Sequence, residues 1–159
     1  MGGAIASRLC VEEADIRALV LLAPYLVPPP AVRRIAATRT VWGFFAPYLK
    51  GRGEESVFDA AASMQSRAYG TFSPGALKAL VQTAARGLEA VGRLTLPVAV
   101  INSERDNRIP RECAEQALRA FRIQPEVHWV SGCGHVITID YCKEAVANIT
   151  RQFLDRHTR

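Results

Sequence analysis

Apolar residues fall in three short, almost unbroken runs and in several longer periodic stretches. IRALVLLAP (16–24) ends at a proline, LPVAVIN spans 96–102 and EVHWV spans 126–130. Runs this brief and this continuous suit strands buried on both faces, as in a parallel sheet. Elsewhere the period is helical. Residues 3–12 read as a helix with Ile5 and Leu9 on one face. Ser73 and Pro74 form a cap and first-turn pair, and after them Leu77, Leu80, Val81, Ala84, Leu88 and Val91 recur at helical spacing. Ala114, Ala117, Leu118 and Phe121 mark another helix behind Pro110, and Val146, Ile149 and Phe153 place a last one over 141–156. Strands alternating with helices in this order predict an α/β fold with three parallel strands and flanking helices.

One section departs from the alternation. VPPP (27–30) breaks the chain, and the aromatic-rich VWGFFAPYL (41–49) then leads into the polar turn KGRGEES (50–56). The chain therefore divides into the start of a core (1–30), a helical insertion (31–93) and the remainder of the core (94–159). With 159 residues, 49% hydrophobic and 22% charged, it is long enough and apolar enough for one packed domain. The net charge of +5 is spread along the sequence without a block of like charges. That argues for a solvated surface and against nucleic acid as a partner. The longest uncharged stretch, Ala18 to Val32, holds four prolines and is shorter than the ~20 apolar residues of a membrane span. Cysteines stand at 10, 113, 133 and 142 with no CxxC pair. Free thiols in a reducing compartment, and so a soluble cytoplasmic protein, are the expectation.

Open α/β sheets place their sites beyond the carboxyl ends of their strands. Two loops qualify, NSERDNRIP (102–110) and SGCGHVITID (131–140). The first carries Asp106 and the second, 29 residues later, carries His135 between Gly134 and a short apolar run. A carboxylate beside an imidazole fixes its tautomer and steadies the imidazolium, leaving the other ring nitrogen to take a proton from a nucleophile. Taken singly, each residue has a plainer reading: an aspartate that forms a turn, a histidine that sits on a surface loop. The order and the topology favour the pair.

These segments resemble the C-terminal half of an α/β-hydrolase, in particular bacterial carboxylesterases and monoacylglycerol lipases. LPVAVINSERDNRIP is similar to that family's strand and acid loop, which makes Asp106 the counterpart of the triad acid. Ser103 stands where the family usually has glycine. GCGHVITID is similar to the family's histidine segment, which makes His135 the counterpart of the triad base. MGG with AIASRL resembles the run that follows the nucleophile in G-x-S-M-G-G. The resemblance implies the chain order serine, acid, histidine, with the serine one position ahead of Met1. None of the seven serines (7, 56, 63, 66, 73, 103 and 131) lies in G-x-S-x-G. The expectation is therefore a fragment of a longer serine hydrolase, inactive alone, in which the backbone of Met1 matches one oxyanion donor. The resemblance further implies a small-molecule ester or lipid-like substrate and no cofactor. It implies too that the insertion is a lid whose Trp42, Phe44, Phe45 and Tyr48, with Tyr69 and Phe72, face an acyl chain, unless they pack only on one another. The strand at 16–23 would lack its usual neighbour, leaving a bare edge open to self-association.

Three alternatives stand beside this reading. The chain is a non-catalytic, degenerate hydrolase or a binding module. Cys133, two residues from His135, is a nucleophile, against which stands a small thiol packed under its loop. Or His128, Cys133, His135 and Cys142 bind a metal, although their spacing is not that of a zinc site, so no metal site is expected.

Overall fold

The computed structural model describes residues 1–50, 56–65 and 71–158. At its centre lies a parallel sheet of three strands, β1 (Leu19–Leu22), β4 (Val98–Ser103) and β5 (Glu126–Val130), in the order β1-β4-β5. Leu19 pairs with Val98, and Ser103 pairs with Val130, so all three strands end at the same side. All six residues of β4 are buried, as its unbroken apolar run anticipates. The runs at 16–24 and 96–102 overreach their strands by a few residues, because pairing rather than hydropathy defines the ends. Pro97 lies outside β4 but still accepts the Leu19 amide through its carbonyl, at 3.0 Å.

Before β1 runs α1 (Gly2–Glu12), between β4 and β5 α6 (Arg111–Leu118), and after β5 α7 (Lys143–His157), close to their expected bounds. The insertion contributes α2 (Pro30–Ala37), α3 (Arg39–Phe45), α4 (Ala60–Gln65) and α5 (Pro74–Val91). Ser73 caps α5 as its sequence position suggests, accepting the Ala76 amide at 3.2 Å. A two-residue antiparallel pairing of β2 (Leu49–Lys50) with β3 (Thr71–Phe72) was not legible as strand, being too short to set a period. Most of the expected polar turn, 51–55, and Tyr69 lie outside the described residues.

One expectation for α1 is corrected. Ile5 and Leu9 do share a face, but both are about half exposed, and the buried positions are Ala4 and Ser7. The cause is a close crossing of α1 over α5. A Cβ built on Gly87 would overlap Ala4 and stand 2.6 Å from its Cα and 2.9 Å from Leu26. Only small side chains fit such a crossing, so the large apolar ones turn outward. Ser7 satisfies its buried hydroxyl locally by donating to the Gly3 carbonyl at 2.8 Å.

The core includes the strand residues Leu21, Val100 and Ile101 with Val91, Phe121, Ile137 and Val146. The crossing gives a direct test. Gly87→Ala is expected to destabilise the fold by about 1–3 kcal/mol, the usual cost of overpacking, read from urea midpoints. An unchanged midpoint would show that the two helices separate freely.

Candidate active site

Parallel pairing in register delivers the two candidate loops to one place. Ser103 and Val130 are the last paired residues of β4 and β5, and the Glu104 amide extends the ladder by donating to the Val130 carbonyl at 2.9 Å. Asp106 follows three residues after Ser103 and His135 five residues after Val130, both at the carboxyl edge of the sheet. There they meet. His135 Nδ1 lies 2.8 Å from Asp106 Oδ2, with the carboxylate 5% exposed and the imidazole 27% exposed.

Each oxygen of Asp106 has separate work. Oδ1 accepts the backbone amides of Arg108 at 2.7 Å and Ile109 at 2.8 Å, closing the acid loop upon the side chain. Oδ2 is thereby aimed at the ring. An ionised carboxylate only accepts, so Nδ1 carries the proton and the lone pair falls on Nε2. Beside the ring is a pocket of about 180 Å³ lined by Leu22, Ala23, His135, Val136, Ile137 and Thr138. Ala23 holds φ = 42°, in the left-handed region, and donates to the Ile101 carbonyl at 2.8 Å. A non-glycine residue in that region stores of order 1 kcal/mol of strain, which surrounding structure must impose.

The other expected site residues lie at various distances from this pair in the chain. Met1 is the N-cap of α1, where its carbonyl accepts the amides of Ala4 at 3.1 Å and Ile5 at 3.3 Å. The next turn packs on the end of β1, since a Cβ on Gly3 would stand 3.1 Å from Pro24. The start of α1 and the histidine pocket thus share the carboxyl end of β1. Trp42, Phe44, Phe45 and Tyr48 are not among the residues lining that pocket. Trp42 ties α3 to α2 by donating its indole N–H to the Ile35 carbonyl at 2.8 Å. Phe44 and Phe45 meet edge to face and are 84% and 81% exposed, and Tyr48 is 70% exposed.

The expectation of four free thiols is corrected. Cys133 and Cys142 form a disulfide that closes the histidine loop, while Cys10 and Cys113 are free, both thiols pushed up by burial. The argument from free thiols to a reducing compartment falls with it. Bonded to Cys142, Cys133 is no nucleophile and no thiolate ligand. His128, another proposed ligand, instead faces Glu126 Oε1 at 2.8 Å. Among the described residues no group of three or more His, Cys, Asp or Glu is placed to hold a metal ion.

Three residues around the pair were missed as site residues. Ser103, at the position that departs from the family pattern, donates its hydroxyl to the Cys133 carbonyl at 2.5 Å and accepts the Arg105 amide at 3.1 Å. It stitches the acid loop to the histidine loop. Ser56, on the insertion, accepts the Val136 amide at 3.0 Å and receives Arg108 Nε on its hydroxyl at 2.7 Å. Asp140 is fully buried and accepts four backbone amides, from Phe58, Asp59, Gly134 and Tyr141, at 2.7–2.9 Å. A buried carboxylate shows in sequence only as one more aspartate in a loop, because two of its donors, Phe58 and Asp59, lie more than 80 residues away in the chain.

Burial pushes the Asp140 carboxyl up, but its four amide donors outweigh that and hold it below its ordinary 3.8. A folded-state value beneath the unfolded one stabilises the fold above the unfolded value and is lost as pH falls through the folded one. The Asp140 carboxyl carbon is therefore expected to titrate below 3.8 by NMR, with urea midpoints falling over the same interval. Midpoints independent of pH there would contradict it.

No helix among the described residues is long and apolar enough to cross a membrane. The family model for serine aminopeptidase, S33, matches residues 1–141. No curated protein sequence matches the chain. Among solved structures, the chain is similar to a metagenome-derived lipolytic enzyme of the LipS and LipT study, with a TM-score of 0.79 at 20% identity, over 99% of this chain and 62% of that one. It is similar to the monoacylglycerol lipase of Paleococcus ferrophilus, with a TM-score of 0.75 at 17% identity, over 96% of this chain and 65% of that one. It is also similar to a soluble variant of the monoglyceride lipase of Saccharomyces cerevisiae, with a TM-score of 0.74 at 17% identity, over 98% and 62%. The chain thus spans 62–65% of the length of these structures, and at such identities they share its fold. The chain belongs to the serine aminopeptidase, S33, family of α/β-hydrolases.

Proposed function

We propose that the chain carries the acid and base of a serine-hydrolase centre for carboxylic esters of the esterase and acylglycerol lipase type. The observation that supports this best is the 2.8 Å hydrogen bond from His135 to a nearly buried Asp106. The lone pair on Nε2 takes the proton of an attacking serine hydroxyl as its oxygen bonds to the ester carbonyl carbon. Asp106 offsets the charge of the resulting imidazolium. The imidazolium then protonates the departing alkoxide as the ester C–O bond breaks, leaving an acyl-serine. Water repeats the sequence, yielding the acid and restoring the imidazole. The amide of Met1, as an internal residue, is one donor to the oxyanion. The insertion, 31–93, serves as a lid, with Trp42, Phe44, Phe45 and Tyr48 facing an acyl chain. The similarity to a lipolytic enzyme, a monoacylglycerol lipase and a monoglyceride lipase supports such a substrate class.

In this reading the nucleophile comes from outside the 159 residues, so the chain alone neither hydrolyses esters nor takes a serine-directed label. The competing reading, a non-catalytic module that keeps the acid and base loops, predicts the same for this chain and differs for a longer one. A version extended through the upstream reading frame is expected to react with a fluorophosphonate probe and to hydrolyse a short-chain nitrophenyl ester. His135→Ala in that version abolishes turnover, and Asp106→Asn lowers kcat by about 10⁴-fold, as loss of the correct tautomer does elsewhere. Labelling of the 159-residue chain, or turnover that survives His135→Ala, would refute the proposal.

A further inference from the structure

We propose that Asp140 is a positioning residue for His135, acting by clamping the Ser56–Asp59 segment of the insertion onto the histidine loop. The inference rests on the reading of His135 as the base, but its geometry stands apart from any activity.

Two of the four amides that converge on Asp140 belong to the insertion and two to the loop. Oδ2 accepts Phe58 at 2.9 Å and Gly134 at 2.7 Å, and Oδ1 accepts Asp59 and Tyr141, each at 2.9 Å. One carboxylate thus joins segments more than 80 residues apart in sequence. His135 lies between two pinned neighbours. The amide before it, of Gly134, is held by Asp140, and the amide after it, of Val136, is held by the Ser56 carbonyl at 3.0 Å. With the peptides on both sides fixed, the imidazole has a set direction of departure, and Nδ1 faces Asp106.

The acid loop is fastened to the same strap. Arg108 Nε reaches the Ser56 hydroxyl at 2.7 Å, and the Arg105 guanidinium lies 5.6 Å from the centre of the Phe58 ring. The strap comes so close to the loop that a Cβ on Gly134 would stand 2.5 Å from the Ser56 carbonyl oxygen. Position 134 therefore excludes any side chain. Neutral amide isosteres fail at 140 as well. Asparagine has a single carbonyl oxygen, and its NH₂ would confront two N–H donors, leaving them without their present acceptor. The charge matters because both oxygens must accept.

A merely structural aspartate would lower stability and leave the imidazole of the folded molecules unchanged. Histidine ring NMR on the full chain separates the two, with His128 and His157 as internal references. In the wild type the Nδ1 proton of His135 is expected far downfield and slow to exchange, and Asp106→Asn removes it. In folded Asp140→Asn that signal is expected to be lost or to exchange at least 10-fold faster, with the other two rings unmoved. An unchanged His135 signal in folded Asp140→Asn overturns the proposal. Should that variant not fold, Gly134→Ala pushes the strap aside while sparing the carboxylate, and the same loss is expected; an unshifted His135 again overturns it. If His135 is perturbed while the extended protein hydrolyses no ester, the positioning role stands and the hydrolase reading falls. If hydrolysis persists and His135 is unmoved, only the positioning role falls.

Discussion

Pairing between β4 and β5 is the constraint on which the rest of this molecule depends. Five residue pairs, from Ala99 opposite Glu126 to Ser103 opposite Val130, fix the two strands in parallel. Adjacent parallel strands stand under 5 Å apart, so the loops that leave their ends start as neighbours. A short acid loop and a short histidine loop then need only turn toward each other. A slip of one residue in this register would reverse the faces of β5 and carry the imidazole away from the carboxylate. The complete burial of β4 protects that register, since each of its six side chains is lost from the core if the strand moves.

Register brings the loops together but does not hold the ring. That falls to contacts formed by loop residues with backbone. Ser103 links the acid loop to the Cys133 carbonyl, the Cys133–Cys142 disulfide closes the histidine loop, and Asp140 gathers four amides under it. Ser103 and Asp140 also satisfy backbone amides that an apolar contact would leave unpaired. Loops cannot satisfy their amides by a ladder, so a buried loop must find acceptors elsewhere. A carboxylate, with two oxygens and four lone-pair directions, is the side chain best suited to that task.

The sequence carried those parts of the molecule that follow from local pattern. The three strands, the helices at 2–12, 74–91, 111–118 and 143–157, and the pair Asp106 and His135 all came from hydropathy runs, caps and strand-end loops. What it did not carry depends on contacts between distant segments. The face of α1 was misread because Gly87, more than 80 residues away, packs so closely on Ala4 that the crossing buries small residues and turns the large ones outward. The disulfide was missed because a spacing of nine residues matches no pattern that distinguishes bonded from free cysteines. Ser103 reads as a departure from glycine, yet its hydroxyl fills a bridging role that glycine cannot.

The insertion and the core are therefore not independent layers. An insertion attached only at its ends would move without disturbing the site, and its sequence would be free of the site's constraints. Here Ser56, Phe58 and Asp59 reach into the histidine loop, and Arg105 and Arg108 reach back from the acid loop. Any shift of that strap must break hydrogen bonds to both loops together or carry the loops with it. Net hydrogen-bond contributions of about 0.5–1.5 kcal/mol each make a concerted shift cheaper than a partial one. The strap thus transmits the position of the insertion to the imidazole through the Asp140 carboxylate and the bond from the Val136 amide to Ser56.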